Sequence, residues 1–154
     1  MIYLDWAATA VPDSEIMAAT REKEQDCFAN PSSLHGEGRK AKALLEEARG
    51  KVASVLSCRA EEIVFTSGGT ESNNMVLSSL IARSRFTASG KKHVIVSGIE
   101  HPSVYKPAVN LERMGFRVTV IPAEADGRVD PLRIASALDR ETVLVTLMLI
   151  NNET

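Results

Sequence analysis

The sequence predicts an α/β fold with a mainly parallel sheet. Short apolar runs suited to β-strands alternate with longer segments whose apolar residues recur at helical spacing. Strands that alternate with helices usually pair in parallel, because each helix carries the chain back to the start of the next strand. Residues 142–150 form the most apolar run, too uniform for an edge exposed to water, so we expect this strand to be covered on both faces.

The first two elements are predicted to be helices. Asp13 is a suitable N-cap for a helix that continues to about Asp26. The Asn30-Pro31 pair interrupts it, and residues 36–56 then predict an amphipathic helix packed on a core. Its apolar positions are Ala41, Leu44, Leu45, Ala48, Val52, Val55 and Leu56.

The remaining elements alternate between strand and helix. Residues 62–66 are β-rich, and a glycine turn leads from them into a helix that carries Met75, Val76, Leu77 and Leu80. Strands are then predicted at residues 93–97, 116–121 and 142–150, with a helix from His101 to near Gly115 and another from Asp130. No helix follows the last strand, so we expect part of the layer that covers it to lie outside these 154 residues.

Composition and charge exclude several functional classes. The formal net charge is -2, from 18 basic and 20 acidic residues, and no basic run indicates binding to nucleic acid. The N-terminus lacks the pattern of a signal peptide or membrane span, so we expect a cytoplasmic protein. Cys27 and Cys58 lack the spacing of a zinc site, and we expect both thiols to be reduced and inert, and no metal to be bound.

The glycine turn is a candidate phosphate-binding site. In Ser67-Gly68-Gly69-Thr70, glycines allow close approach of the backbone, and the N–H groups and dipole of the following helix favour an anion. The Thr70 hydroxyl could donate a further hydrogen bond. A glycine turn between a strand and a helix is, however, equally often only a tight connection.

Two further residues are expected at the same edge of the sheet. His101 follows a strand at the carboxyl edge, where open α/β sheets bind ligands, and its ring could stack on a flat cofactor. Taken alone, it would more often be a capping or surface histidine, and His93 is predicted to be a surface residue at a strand start. Asn152 follows the third strand, although polar residues there can be ordinary loop residues. Together the three strand ends favour a planar phosphorylated cofactor.

Five segments, in order along the whole chain, carry a family resemblance: Tyr3-Leu4-Asp5-Trp6-Ala7-Ala8-Thr9, Asn30-Pro31-Ser32-Ser33-Leu34-His35, Phe65-Thr66-Ser67-Gly68-Gly69-Thr70-Glu71-Ser72-Asn73-Asn74, Glu100-His101-Pro102-Ser103 and Asn151-Asn152-Glu153-Thr154. They resemble cysteine desulfurases of the NifS and IscS type. The resemblance implies a pyridoxal-phosphate enzyme of fold-type I, in the class V aminotransferase group. It further implies an N-terminal arm at residues 1–15, followed at 16–154 by part of the large cofactor-binding domain with an incomplete sheet.

The resemblance also implies roles and partners. Gly69 and Thr70 would hold the phosphate of pyridoxal 5'-phosphate, His101 would stack on its ring, and Asn152 would lie beside ring and substrate. The family converts L-cysteine to L-alanine and an enzyme-bound persulfide, which supplies scaffold proteins of iron–sulfur cluster assembly and tRNA thiolation. Its members are usually homodimers.

Some family features are missing from these residues. The Schiff-base lysine and the sulfur-accepting cysteine follow the Asn-Asn-Glu motif in the family, so we expect no catalytic residue in this chain and no activity from it alone. Leu149 also replaces a histidine that many relatives have before the asparagine pair. Two alternatives stay open: a noncatalytic module that binds a phosphate or a partner, and another class V activity such as selenocysteine lyase.

Overall fold

A computed structural model describes residues 2–86 and 91–153, and the chain divides into two compact units, Met1–Phe65 and Thr66–Thr154. The predicted division after residue 15 stays a prediction. The first unit contains α1 (Ser14–Asp26), α2 (Gly36–Leu56) and a 3-10 turn (Ala60–Glu62). Asp13 caps α1 as predicted, since its carboxylate accepts hydrogen bonds from the N–H groups of Glu15 and Ile16.

The second unit is a three-stranded sheet with helices. Its elements are α3 (Gly69–Phe86), β1 (His93–Ser97), α4 (Pro102–Asn110), a 3-10 turn (Leu111–Met114), β2 (Arg117–Ile121), α5 (Pro131–Ala137) and β3 (Thr142–Thr146). The strand order is β2-β1-β3, and β1 is parallel to both neighbours. The predicted parallel α/β fold is therefore confirmed.

The core of this unit lies on one face of β1. Val94 and Val96 are fully buried there against α3, α4 and the segment that leads into β2. The other buried members of this cluster are Leu77, Leu80, Val104, Ala108, Leu111 and Phe116. The connection through α4 leads from β1 to β2, and the connection through α5 leads back across the sheet from β2 to β3. Because such connections are right-handed, these opposite directions put α4 and α5 on opposite faces of the sheet.

The strand predicted at residues 62–66 is absent. The 3-10 turn ends at Glu62, and Ile63 is extended without belonging to the sheet. Its carbonyl accepts a hydrogen bond from the Arg49 guanidinium at 2.5 Å, and the same guanidinium lies 5.0 Å from the centre of the Phe65 ring. The Arg49 side chain thus bonds the Ile63 carbonyl, which in a sheet would accept from a neighbouring strand. The β propensity of this segment was not sufficient to form a strand.

The last strand is shorter than predicted, and it lies at an edge of the described sheet. β3 ends at Thr146 instead of Ile150, and its residues are mostly half-buried. Beyond it, Leu149 and Ile150 are 94% and 81% exposed. The sequence predicted that this apolar segment would be covered on both faces. The described residues do not provide that cover.

His93 is buried, contrary to the prediction of a surface residue. Its ring is 0% exposed and contacts a threonine of each neighbouring strand, with Nδ1 2.8 Å from Thr142 Oγ1 and Nε2 2.9 Å from Thr119 Oγ1. Asp139 lies 3.5 Å from Nδ1 and also accepts a hydrogen bond from the Thr142 hydroxyl. Hydroxyl partners from both sides allow a polar ring to be buried.

Within the described part of the chain, no helix is both long enough and apolar enough to cross a membrane.

Candidate functional site

The predicted phosphate site lies at the first turn of α3. The helix starts at Gly69, and its first N–H groups have no acceptor within the helix. A Cβ added to Gly68 or Gly69 would meet no atom within 4 Å, and neither residue has a positive φ. Neither packing nor backbone conformation therefore requires glycine here, while the open space beside exposed N–H groups suits an anion.

A carboxylate of the first helical turn bonds the backbone just before the helix. Glu71 accepts hydrogen bonds from the Ser67 N–H at 2.6 Å and from the Ser67 hydroxyl at 2.7 Å. The backbone N–H first, and then the hydroxyl, lower the pKa of the Glu71 carboxyl below its ordinary value. Thr66 and Ser72 add a hydroxyl contact of 2.7 Å across the same turn. The conformation that precedes Gly69 is thus held by side chains and not by a strand.

His101 lies between β1 and α4 and caps the helix. It follows the carboxyl end of β1, as predicted, and its Nδ1 accepts a hydrogen bond from the Ser103 N–H at 3.0 Å. The Ser103 hydroxyl lies 2.7 Å from the same nitrogen. The capping role that the sequence left open is therefore present, and the ring remains exposed at the edge of the sheet.

A hydrogen bond joins the starts of α3 and α4. The Asn73 side-chain amide donates to the Ser103 hydroxyl at 2.9 Å. Asn73 lies in the first turns of α3, four residues after Gly69, and Ser103 is bonded to His101. Side chains therefore connect the candidate phosphate site to His101, although the strand that was expected to bring them together does not form.

Two hydrogen bonds hold the loop that contains Asn152. The Glu100 carboxylate accepts the Met148 N–H at 2.6 Å, and the Asn151 side-chain amide donates to the Ile99 carbonyl at 2.7 Å. The loop after β3 is thereby fixed to the loop after β1. Asn152 itself is exposed, and its position depends on these neighbours.

His101 and Asn152 line one small cavity of about 30 Å³, together with Glu100, Met148 and other loop residues. Gly69 and Thr70 are not among its lining residues. The structure thus brings His101 and Asn152 together directly, and among the described residues Asn73 and Ser103 connect the start of α3 to His101.

Three residues of this edge lie within the motifs that carry the family resemblance, but the sequence pattern alone assigns them no role: Asn73, Ser103 and Glu100. The spacing of Ser103, two residues after a histidine that precedes Pro102, is typical of an N-cap and its second helical residue, and it could have indicated the contact. The bonds of Asn73 and Glu100 join residues 30 and 48 positions apart. These two bonds can be recognised only once the fold is known.

In the described residues, no group of three or more His, Cys, Asp or Glu side chains could hold a metal ion. Cys27 and Cys58 are free and half-buried.

Comparison with known families decides the relationship. Residues 2–154 match the model of the aminotransferase class-V family. The chain belongs to this family. Its sequence is similar to "Cysteine desulfurase IscS" of Dictyoglomus turgidum, with 42% identity over 153 residues, which are 99% of this chain and 38% of the relative.

Two further similarities agree with this placement. The chain is 39% identical over 164 residues to "Selenocysteine lyase" of Xenopus tropicalis, covering 99% of this chain and 38% of the relative. Its fold is similar to that of a solved "NIFS-LIKE PROTEIN", with a TM-score of 0.90 and 34% identity, covering 99% of this chain and 41% of the other. The chain thus spans about two fifths of the length of these relatives.

Proposed function

We propose that this chain supplies the phosphate and ring contacts for pyridoxal 5'-phosphate in a cysteine desulfurase, which converts L-cysteine to L-alanine and passes the sulfur on as a persulfide. The observation that carries the proposal is the hydrogen-bonded connection from the start of α3 through Asn73 and Ser103 to His101. It relates an anion site to an aromatic ring, which is the pair of contacts that a phosphorylated planar cofactor requires.

The residues present fit this cofactor. Gly68 and Gly69 have open space where a side chain would be, so phosphate oxygens could approach the N–H groups of α3. Thr70, in the same turn, has an exposed hydroxyl that can donate to the phosphate. His101 offers an exposed ring face, and Asn152 an amide on the cavity that it shares with His101.

The cofactor, when bound, supplies an electron sink that stabilises negative charge on substrate carbon. The contribution of this chain is binding and orientation. Gly69 and Thr70 would hold the phosphate, His101 would pack on the ring, and Asn152 would limit where ring and substrate can lie. Glu100 would keep Asn152 in reach of His101 by holding the Met148 backbone.

We further propose that the lysine that attaches the cofactor and the cysteine that accepts sulfur belong to the portion that relatives carry outside the matched region. On this proposal the chain by itself is catalytically silent. Homodimerisation, transfer of sulfur to a scaffold protein for iron–sulfur cluster assembly or tRNA thiolation, and a cytoplasmic location are parts of the same proposal.

A second candidate within the family is selenocysteine lyase. The 39% identity to the enzyme of Xenopus tropicalis, close to the 42% identity to the desulfurase, supports it. The two activities would use the same contacts to the cofactor. Comparing cysteine and selenocysteine as substrates, with the remaining portion supplied, distinguishes them: alanine from cysteine supports a desulfurase, and alanine from selenocysteine alone supports the lyase.

Cofactor binding tests the central proposal. The purified chain is titrated with pyridoxal 5'-phosphate, with pyridoxal as the ligand that lacks the phosphate, and binding is followed by calorimetry. We expect the phosphorylated ligand to bind more tightly, and Thr70→Val and His101→Ala each to weaken binding about tenfold, equivalent to about 1.4 kcal/mol. Ser78→Ala, a change on an exposed face of α3, is the control. Equal affinity for both ligands, or no effect of either site variant, would overturn the proposal.

A further inference from the structure

We infer that Ser103 and Asn73 are positioning residues that fix the tautomer and orientation of the His101 ring. The inference rests on the proposed function for what His101 does with a ligand. The tautomer itself is a property of this chain and can be measured without cofactor.

The backbone favours the tautomer in which Nδ1 lacks the proton. The Ser103 N–H can only donate, and it lies 3.0 Å from His101 Nδ1. Nδ1 therefore presents its lone pair while this bond is formed. In the neutral ring the hydrogen is then on Nε2, so a ligand group at Nε2 has to be an acceptor.

The side chain of Ser103 strengthens this assignment. Its hydroxyl is 2.7 Å from the same Nδ1 lone pair and so donates its only hydrogen to the ring. The hydroxyl oxygen keeps its lone pairs for the Asn73 amide, which donates at 2.9 Å. The two side-chain bonds therefore run in one direction: Asn73 donates to Ser103, and Ser103 donates to His101.

The same chain of bonds fixes the ring in space. Ser103 is in the first turn of α4, Asn73 is in α3, and both are half-buried. Residues of both helices, Leu77 and Val104 among them, pack in the buried cluster beneath. An exposed ring would otherwise rotate about its side-chain torsions, and two donors at Nδ1 remove that freedom. The ring plane and the start of α3 are thus held relative to each other.

Asn73→Asp is the sharpest variant. The substituted carboxylate has the shape of the amide but accepts where the amide donates. The Ser103 hydroxyl would turn its hydrogen towards that carboxylate and its lone pair towards Nδ1. Asn74→Asp is the matched control, since it adds the same charge one residue away, where the amide bonds the Thr70 carbonyl instead of Ser103.

Nitrogen-15 NMR of the histidine rings gives the readout, at a pH of about 8, well above the ordinary histidine pKa of about 6.5. His101→Gln identifies the ring signals of His101. We expect the wild-type ring, and that of Asn74→Asp, to be protonated at Nε2. In Asn73→Asp and Ser103→Ala the Nδ1-protonated form should increase about fivefold, the effect of losing one hydrogen bond of ordinary strength. Ser103→Thr, which keeps a hydroxyl, should behave as the wild type.

Two results would overturn the inference: a wild-type ring protonated at Nδ1, or identical ring spectra for Asn73→Asp and Asn74→Asp. Circular dichroism of each variant confirms that the helices persist. Failure of the proposed function is recognised separately, since it would show as absent cofactor binding by a chain whose His101 ring is still protonated at Nε2.

Discussion

The Glu100 carboxylate accepts the Met148 backbone N–H at 2.6 Å. The same oxygen accepts the Ser97 hydroxyl at 2.8 Å, so one carboxylate joins the end of β1 to the loop that follows β3. The position of Asn152 beside His101 therefore depends on Glu100.

Glu100→Ala should release the loop after β3. Loss of two hydrogen bonds to a charged acceptor should lower the free energy of unfolding by about 2 kcal/mol, as urea denaturation would measure. The Met148 amide should also exchange its hydrogen faster. Ser97→Ala removes only one of the two bonds and should leave Met148 protected. If Met148 exchange is unchanged in Glu100→Ala, this carboxylate does not hold the loop.

Gly69→Ala separates ligand binding from folding. A Cβ at this position meets no atom within 4 Å, so the variant should be as stable as the wild type. If phosphate oxygens use that space, the affinity for pyridoxal 5'-phosphate should fall about tenfold, equivalent to about 1.4 kcal/mol. Gly50→Ala, inside α2 with equally open surroundings, is the control. It should gain about 1 kcal/mol of stability without a change in affinity. Unchanged affinity in Gly69→Ala would show that the ligand does not approach there.

Glu71 should make stability depend on pH in the acidic range. Its pKa is lower in the folded chain, because Ser67 donates to the carboxylate, so the unfolded chain takes up a proton at higher pH. The stabilisation is complete above the ordinary glutamate pKa of about 4.3 and disappears as the pH falls through the lowered pKa.

Denaturation across this pH range checks the prediction for Glu71. The stability difference between the wild type and Glu71→Gln should be present at neutral pH and should decrease at acidic pH. Glu112→Gln, an exposed carboxylate in the 3-10 turn before β2, is the comparison. A difference that stays constant with pH would contradict the role assigned to Ser67.

His93→Leu should destabilise the sheet despite its more apolar side chain. The hydroxyls of Thr119 and Thr142 would lose the ring that they contact, and we expect a cost of about 2 kcal/mol. A double-mutant cycle with Thr119→Val measures the coupling free energy between the two residues. It should clearly exceed the deviation from additivity that independent sites show. Strictly additive effects would indicate that the ring contributes only by packing.

The sequence predicted those parts of the fold that depend on local pattern. α1, α2, β1 and the start of α5 lie where capping residues and apolar spacing placed them, and the parallel pairing followed from their alternation. The family resemblance is confirmed by the class-V match. The assigned roles of Gly69, Thr70, His101 and Asn152 stay predictions.

The errors arose where distant residues compete with local preference. Residues 63–66 have β propensity, yet the Arg49 guanidinium satisfies the Ile63 carbonyl, and this contact is not visible in local sequence. His93 was predicted to be exposed because it stands at the start of a strand, and its burial depends on hydroxyls 26 and 49 residues away. Partners at such separations are determined by strand order, which periodicity does not give.

The strand order has a consequence for biosynthesis. β1 is in the centre of the sheet, but it leaves the ribosome before both of its partners, and its pairing with Thr142 spans 49 residues. Its backbone groups and valines therefore stay unpaired and exposed until β2, and then β3, have been synthesised. During that interval β1 can pair with a neighbouring nascent chain, so slow translation or missing chaperones should reduce the yield of this protein before any ligand is involved.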